Sequence, residues 1–107
     1  MSNPYHFTAD VQALPPDIPA DSIISRTVHS SDGLKVTLFG FAAGQELSEH
    51  TAAFPAVLHF LAGQAQLTLG QDEMAAGPGA WVYMPPQLPH SIVARTAVTM
   101  LLYLLKS

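Results

Sequence analysis

From Ser22 onward the chain alternates short apolar, β-prone runs with clusters of turn-forming residues. The runs recur at a spacing of roughly 8 to 12 residues, as in an all-β sandwich or barrel. Ile23 to His29 is the first run, Ser30-Ser31-Asp32-Gly33 forms a tight turn, and Leu34 to Phe41 returns as the second arm of a hairpin. Ala56 to Leu61 reads as a strand that stops at Gly63. Ala65 to Leu69 alternates cleanly, with Ala65, Leu67 and Leu69 on one side and Gln66 and Thr68 on the other, before a turn at Gly70-Gln71-Asp72. Met74 to Ala76 is short, and Gly77-Pro78-Gly79 bends the chain into a strand over Ala80 to Met84. After a proline-rich turn at 85–89, Ser91 to Ala94 and Thr96 to Leu105 complete a set of about eight to ten short strands, a number that a jelly-roll barrel pairs throughout.

Two segments depart from this rhythm. Thr96 to Leu105 is apolar on both faces, so its periodicity fits a buried strand or a buried helix, with β-branched residues only at its front. Residues 1–22 carry Pro4, Pro15, Pro16 and Pro19, which hold themselves and their predecessors in extended or turn geometry. They read as an N-terminal arm with room for a single helical turn near Thr8-Ala9-Asp10-Val11, capped by Thr8. The expected organisation is an arm, 1–22, and one barrel domain, 23–107.

Composition narrows the function classes. At 107 residues a second independent core is excluded in practice. Apolar residues make up 49% of the chain and charged ones only 11%, well under the usual quarter, which predicts self-association as a homodimer. The arm and the segment Thr96 to Leu105 are the candidates for that contact. Arg26, Lys35, Arg95 and Lys106 are the whole basic complement against a net charge of −4, so no nucleic-acid partner is expected. The absence of cysteine removes disulfides, thiolate metal sites and a cysteine nucleophile together. The start of the chain lacks the basic and apolar regions of a secretory signal, and its longest apolar stretch is about half of a membrane-spanning helix. No membrane partner and a cytoplasmic location are expected.

Two short patterns carry the chemistry. The first runs from Gly44 across five residues to His50 and on to Gly63; the second runs from Gly79 across five residues to Pro85 and then His90. The intervening stretch between Gly63 and Gly79 is fifteen residues long. The pairing resembles the two motifs of the cupin family, G-x5-H-x-H-x3,4-E-x6-G and G-x5-P-x-G-x2-H-x3-N. Phrases such as Leu47-Ser48-Glu49-His50-Thr51 and Pro86-Gln87-Leu88-Pro89-His90-Ser91 are similar to small single-domain bacterial cupins. The resemblance implies an all-β, single-domain jelly-roll (double-stranded β-helix, RmlC-like) barrel in which Gly63 and Gly79 permit sharp turns and Pro85 marks a strand exit.

It also implies a site, with departures. A metal-binding cupin holds its ion with three histidines and a glutamate, a mixed set suited to a divalent transition metal. Here His50 and His90 keep two of those positions, while Ala52 and Ala56 replace the other histidine and the glutamate, and Gln87 and Ala94 replace the second motif's glycine and asparagine. The leading expectation is a small-molecule-binding barrel with His50 and His90 orienting the ligand, the same imidazoles being the candidate metal ligands that keep the family's positions. Leu58 and Phe60 would form its walls, together with either Trp81 and Tyr83 or Val82 and Met84; Tyr83 and Gln87 are further candidate ligand contacts. The vacated bulk at Ala52 and Ala56 widens the cavity unless Phe54 or Met84 fills it. His59, three positions after Ala56, is expected on the opposite face, whereas Glu46 and Ser48 share the parity of His50 in a regular strand. The alternative is a metal-dependent enzyme, dioxygenase- or isomerase-like, whose two-histidine centre is completed by Glu46 or Glu49. No catalytic residue is assigned and no cofactor is certain.

Overall fold

The computed structural model describes residues 4–13 and 17–106. Pro15 and Pro16 of the expected arm lie outside them. Among the described residues there are nine strands and a single short 3-10 turn: β1 (Ile23–Ser30), β2 (Leu34–Phe41), β3 (Glu46–His50), β4 (Ala56–Ala62), β5 (Ala65–Leu69), β6 (Asp72–Ala76), β7 (Trp81–Met84), β8 (His90–Ala94) and β9 (Val98–Leu105). All pairings are antiparallel. One sheet has the order β1-β2-β9-β4-β7 and the other β3-β8-β5-β6. This is the jelly-roll arrangement expected from the strand rhythm. No helix among the described residues is long and apolar enough to cross a membrane.

The ambiguous C-terminal segment is a strand, and its place explains its composition. β9 lies between β2 and β4 at the centre of the five-stranded sheet. Met100, Leu102 and Leu104 face the barrel interior, while Leu101 and Tyr103 pack on the opposite side with Val36 and Leu38. A central strand covered on both faces carries apolar residues at every position, which erases the alternation that marks a half-exposed strand.

Between the sheets lies one apolar core built from Phe41, Ala56, Leu58, Phe60, Leu67, Met84, Ile92 and Met100, among others. β4 shows how the sequence makes it: Ala56, Leu58 and Phe60 are buried inward while Val57 and His59 turn outward, the two-residue period of an extended chain. Gly63 ends this strand. It adopts a left-handed φ of 87°, and a Cβ there would fall 1.9 Å from the Ala97 carbonyl oxygen, so no side chain fits.

The arm's short turn sits at Val11–Ala13, slightly later than expected, and Thr8 does not cap it. Asp10 does: its carboxylate accepts from the Gln12 N–H at 3.1 Å and its carbonyl accepts from the Ala13 N–H at 3.2 Å. Thr8 instead pairs through its hydroxyl with His6 Nε2 at 2.9 Å.

Candidate functional site

The two motif histidines meet. His50 ends β3, His90 begins β8, and the two are direct cross-strand partners with ring centroids 4.1 Å apart and planes tilted by 59°. A register slip in β3 aims His50 this way. Glu46 stands opposite Val93 and Leu47 opposite Ile92, but His50 stands opposite His90, so one extra residue is accommodated between Leu47 and His50. Such a β-bulge reverses the face of everything beyond it. His50 therefore shares the inward face with Leu47, and the expectation that Glu46 and Ser48 share its face is corrected. Glu46 lies with Val93 on the other side of the sheet, and Glu49 falls within the bulge and is exposed.

The rings are held the same way. His50 Nδ1–H donates to the Ser48 carbonyl at 2.8 Å, and His90 Nδ1–H donates to the Leu88 carbonyl at 2.9 Å, in each case two residues back along the chain. A carbonyl oxygen only accepts, so both neutral rings carry their proton on Nδ1 and leave the Nε2 lone pair free. The environments differ: His50 is exposed, whereas His90 is only 6% exposed and lies beside Leu69 of β5. Burial lowers the pKa of His90 below the ordinary histidine value; its bond to the Leu88 carbonyl opposes that shift, and the charge of His50 adds to it. His90 is thus a neutral acceptor at physiological pH.

The turn that presents His90 carries a strained residue. Leu88 N–H donates to the Pro85 carbonyl at 3.4 Å, and Gln87 takes a φ of 68°. Pro86 and Gln87 occupy the central positions of a turn whose second central residue needs positive φ, where glycine is the usual choice. Gln87 stands at the motif position of that glycine. Its contribution is through the backbone, since its N–H donates to the Ala52 carbonyl at 2.8 Å and ties the loop after β3 to the loop before β8, while its side chain is exposed.

The remaining site candidates fall elsewhere. Leu58 and Phe60 face the interior, but they are packed within the core. Of the two possible phases for β7, Val82 and Met84 point inward. Tyr83 is therefore corrected: it stands on the outer face of the five-stranded sheet, 51% exposed and opposite Val57, away from the ring pair. Met84 is directly opposite Ala56 and both are buried, so the volume freed by the alanine is filled by the methionine. Phe54 remains partly exposed. His59 lies on the outer face, as its parity requires.

Among the described residues no third His, Cys, Asp or Glu gathers with any such pair to form a metal-binding group. Two imidazoles fall short of the three protein ligands that catalytic metal centres retain. The donor set does not fit a resident metal centre, and neither Glu46 nor Glu49 completes it.

A cleft of about 240 Å³ lies on the outer face, lined by Val57, His59, Trp81, Tyr103 and Leu105. Sequence reasoning missed it. Its signal is Trp81, a large exposed aromatic in a four-residue strand without a charged residue. The backbone acceptors Ser48 and Leu88, by contrast, leave no signal in residue type.

No family model matches the chain, and no curated protein does. Solved structures match it along nearly its whole length. A conserved protein of unknown function from Streptococcus pyogenes is 31% identical, covering 100% of this chain and 96% of that one with a TM-score of 0.82. An RmlC-like cupin protein from Desulfovibrio desulfuricans is 25% identical over 94% of this chain and 98% of that one, TM-score 0.78. A cupin superfamily protein from Desulfitobacterium hafniense is 22% identical over 97% and 94%, with a TM-score of 0.86.

Proposed function

The chain belongs to the cupin superfamily, and from that membership we propose that it binds a small polar molecule at the His50–His90 pair without a resident metal. The observation that carries this reading is the pair itself: two rings 4.1 Å apart, each with Nδ1 committed to a backbone carbonyl. Both free nitrogens are acceptors. Hydroxyl or amino donors of a ligand complement such acceptors. Burial keeps His90 neutral and so keeps its acceptor available at physiological pH. Leu69 and Leu88, flanking His90 in the ladder and the preceding turn, supply apolar contact beside the polar pair, the usual composition of a small-ligand site.

The site is open on the side of His50, which is exposed, while Met84, Leu58 and Phe60 are buried in the core between the sheets. Selectivity then rests on donor geometry more than on enclosure, and affinity for a small ligand is modest.

The test is a panel of small hydroxyl- and amine-bearing fragments against uniformly 15N-labelled protein, read at the histidine ring nitrogens, with metal content measured after chelator-free purification. Binders are expected to shift Nε2 of both His50 and His90, and His90→Ala abolishes the response. A stoichiometric transition ion that is lost on His50→Ala would overturn the reading in favour of the metal-dependent alternative. So would fragments that leave both rings unmoved.

A further inference from the structure

The row that holds the ring pair runs on across the four-stranded sheet and ends in a carboxylate. His50 stands opposite His90, His90 opposite Leu69 of β5, and Leu69 opposite Asp72 of β6. Residues opposed in an antiparallel pair share a face, so these four positions belong to one side of the sheet. That side is the inner one. The next row along, Leu47, Ile92, Leu67 and Met74, is also in register, and its members belong to the core or pack against it. Ile92, Leu67 and Met74 each lie two positions from His90, Leu69 and Asp72, the spacing that returns an extended chain to the same face. The first row is thus the rim of the interior: two imidazoles, an apolar side chain and an acid.

The backbone fixes the acid relative to the rings. Gly70 and Gln71 make the turn between β5 and β6, and Gly70 N–H donates to the Pro89 carbonyl at 2.8 Å, so the turn that carries Asp72 is tied to the residue before His90. Leu88 reaches over the same turn, its Cδ1 3.8 Å from where a Cβ on Gly70 would lie. Charge on this sheet has one sign. Its four strands hold Glu46, Glu49, Asp72 and Glu73 and contain no Lys or Arg. Glu73, opposite Thr68, belongs to the outer face, as Glu46 does, whereas Asp72 has the parity of the rim and is exposed there.

We propose that this rim selects an organic cation: a short-chain amine whose hydroxyl or second amino group donates to the ring pair while its ammonium pairs with Asp72. The inference rests on the ligand reading at His50 and His90 and adds the charge and the length of what binds there. Neighbouring strands lie about 4.8 Å apart, so His90 and Asp72, two strands from one another, have backbones roughly 10 Å apart. After the reach of both side chains, the span left is that of a short methylene chain. Leu69, between them in the row, supplies the apolar surface on which those methylenes lie. A neutral ring accepts at its free Nε2 and a carboxylate only accepts, so every polar group of the row calls for a donor. At Asp72 the favoured donor is a charged one, and an anionic chain end there meets its own sign.

Aminopentanol, pentanediol and hydroxypentanoate, each with its functional groups on the two terminal carbons, are matched in length and differ in the charge of one end. The experiment titrates the three into the 15N-labelled full chain and reads the histidine ring nitrogens. Aminopentanol is expected to shift Nε2 of both rings and to bind about fivefold tighter than pentanediol, the upper end for an exposed ion pair, with hydroxypentanoate the weakest. Asp72→Asn should erase the preference for the amine and leave pentanediol binding as it was. Glu73→Gln removes the same charge one residue away on the outer face and should keep the preference. Asp72→Ser, checked by an unchanged far-UV circular dichroism spectrum, takes the place of the asparagine variant should that one misfold. Equal binding of amine and diol, or equal loss of the preference in Asp72→Asn and Glu73→Gln, would overturn the rim proposal and leave the ring-pair reading standing. Three probes that all leave the rings unmoved would remove both.

Discussion

The histidine pair and the outer cleft divide between them what a binding site usually combines. At the end of the four-stranded sheet stand two oriented acceptors, one of them buried, above an interior filled by Met84 and Phe60. On the back of the five-stranded sheet stands a concave surface of aromatic and aliphatic side chains, with His59 as its one imidazole. Chemistry lacks depth in the first place, and depth lacks chemistry in the second. β4 divides its side chains between core and cleft, sending Leu58 and Phe60 into the core and Val57 and His59 into the cleft.

Because both regions rest on β4, the largest perturbation should come from its inward side and should break them together. Phe60 is 0% exposed, and Phe60→Ala is expected to cost about 3–5 kcal/mol, the usual cost of deleting a buried ring. His59→Ala, one residue away on the outer face, is expected to stay within about 0.5 kcal/mol of wild type. Chemical denaturation of the two variants checks this, and comparable losses would mean that the inward and outward assignments of β4 are wrong.

A smaller effect of opposite sign is expected at the turn that presents His90. Gln87 holds a φ of 68°, a conformation that costs an ordinary residue about 1–2 kcal/mol and glycine nothing. Part of that gain is offset by the greater freedom glycine gives the unfolded chain. Gln87→Gly should therefore stabilise the protein by roughly 0.5–1 kcal/mol. The backbone bond from residue 87 to Ala52 survives, so fragment binding at the ring pair should be unchanged. A destabilised variant, or one that loses the ring-pair response, would show that the glutamine side chain does more than tolerate the turn.

How far these regions could be read in the sequence follows from what each one depends on. The strands and the hairpin were legible from β-prone runs alternating with turn residues, and the convergence of His50 on His90 was implied by the resemblance of their two patterns to the cupin motifs. Counting parity failed for Glu46, because a bulge is a backbone feature that exposed residues such as Ser48 and Glu49 do not announce. It also could not choose between the two phases of β7, where Trp81, Val82, Tyr83 and Met84 are all large and apolar. Met84 is inward because Ala56 opposite leaves room for it, a long-range fit that no local pattern contains. The outer cleft escaped for the same reason as β9's identity: a sheet apolar on both faces gives no contrast from which to read a surface.

The smallest effect separates the two rings of the pair. His90's pKa is lowered mainly by burial, with the charge of His50 a lesser cause in the same direction. His50→Ala should therefore move the His90 titration upward only part of the way to the ordinary histidine value near 6.5. The stability of the wild type should follow the linked sign. In the window between the lowered folded pKa and about 6.5, the unfolded chain binds the proton that folded His90 resists, so stability falls as pH drops through it and levels off below. Above that window both states are neutral at this site and the contribution is fully present. Histidine-detected NMR titration of wild type and His50→Ala, paired with denaturation at several pH values, measures both quantities. A complete return of His90 to its ordinary value in the variant would mean that the neighbouring ring, and not the barrel's end, keeps it neutral.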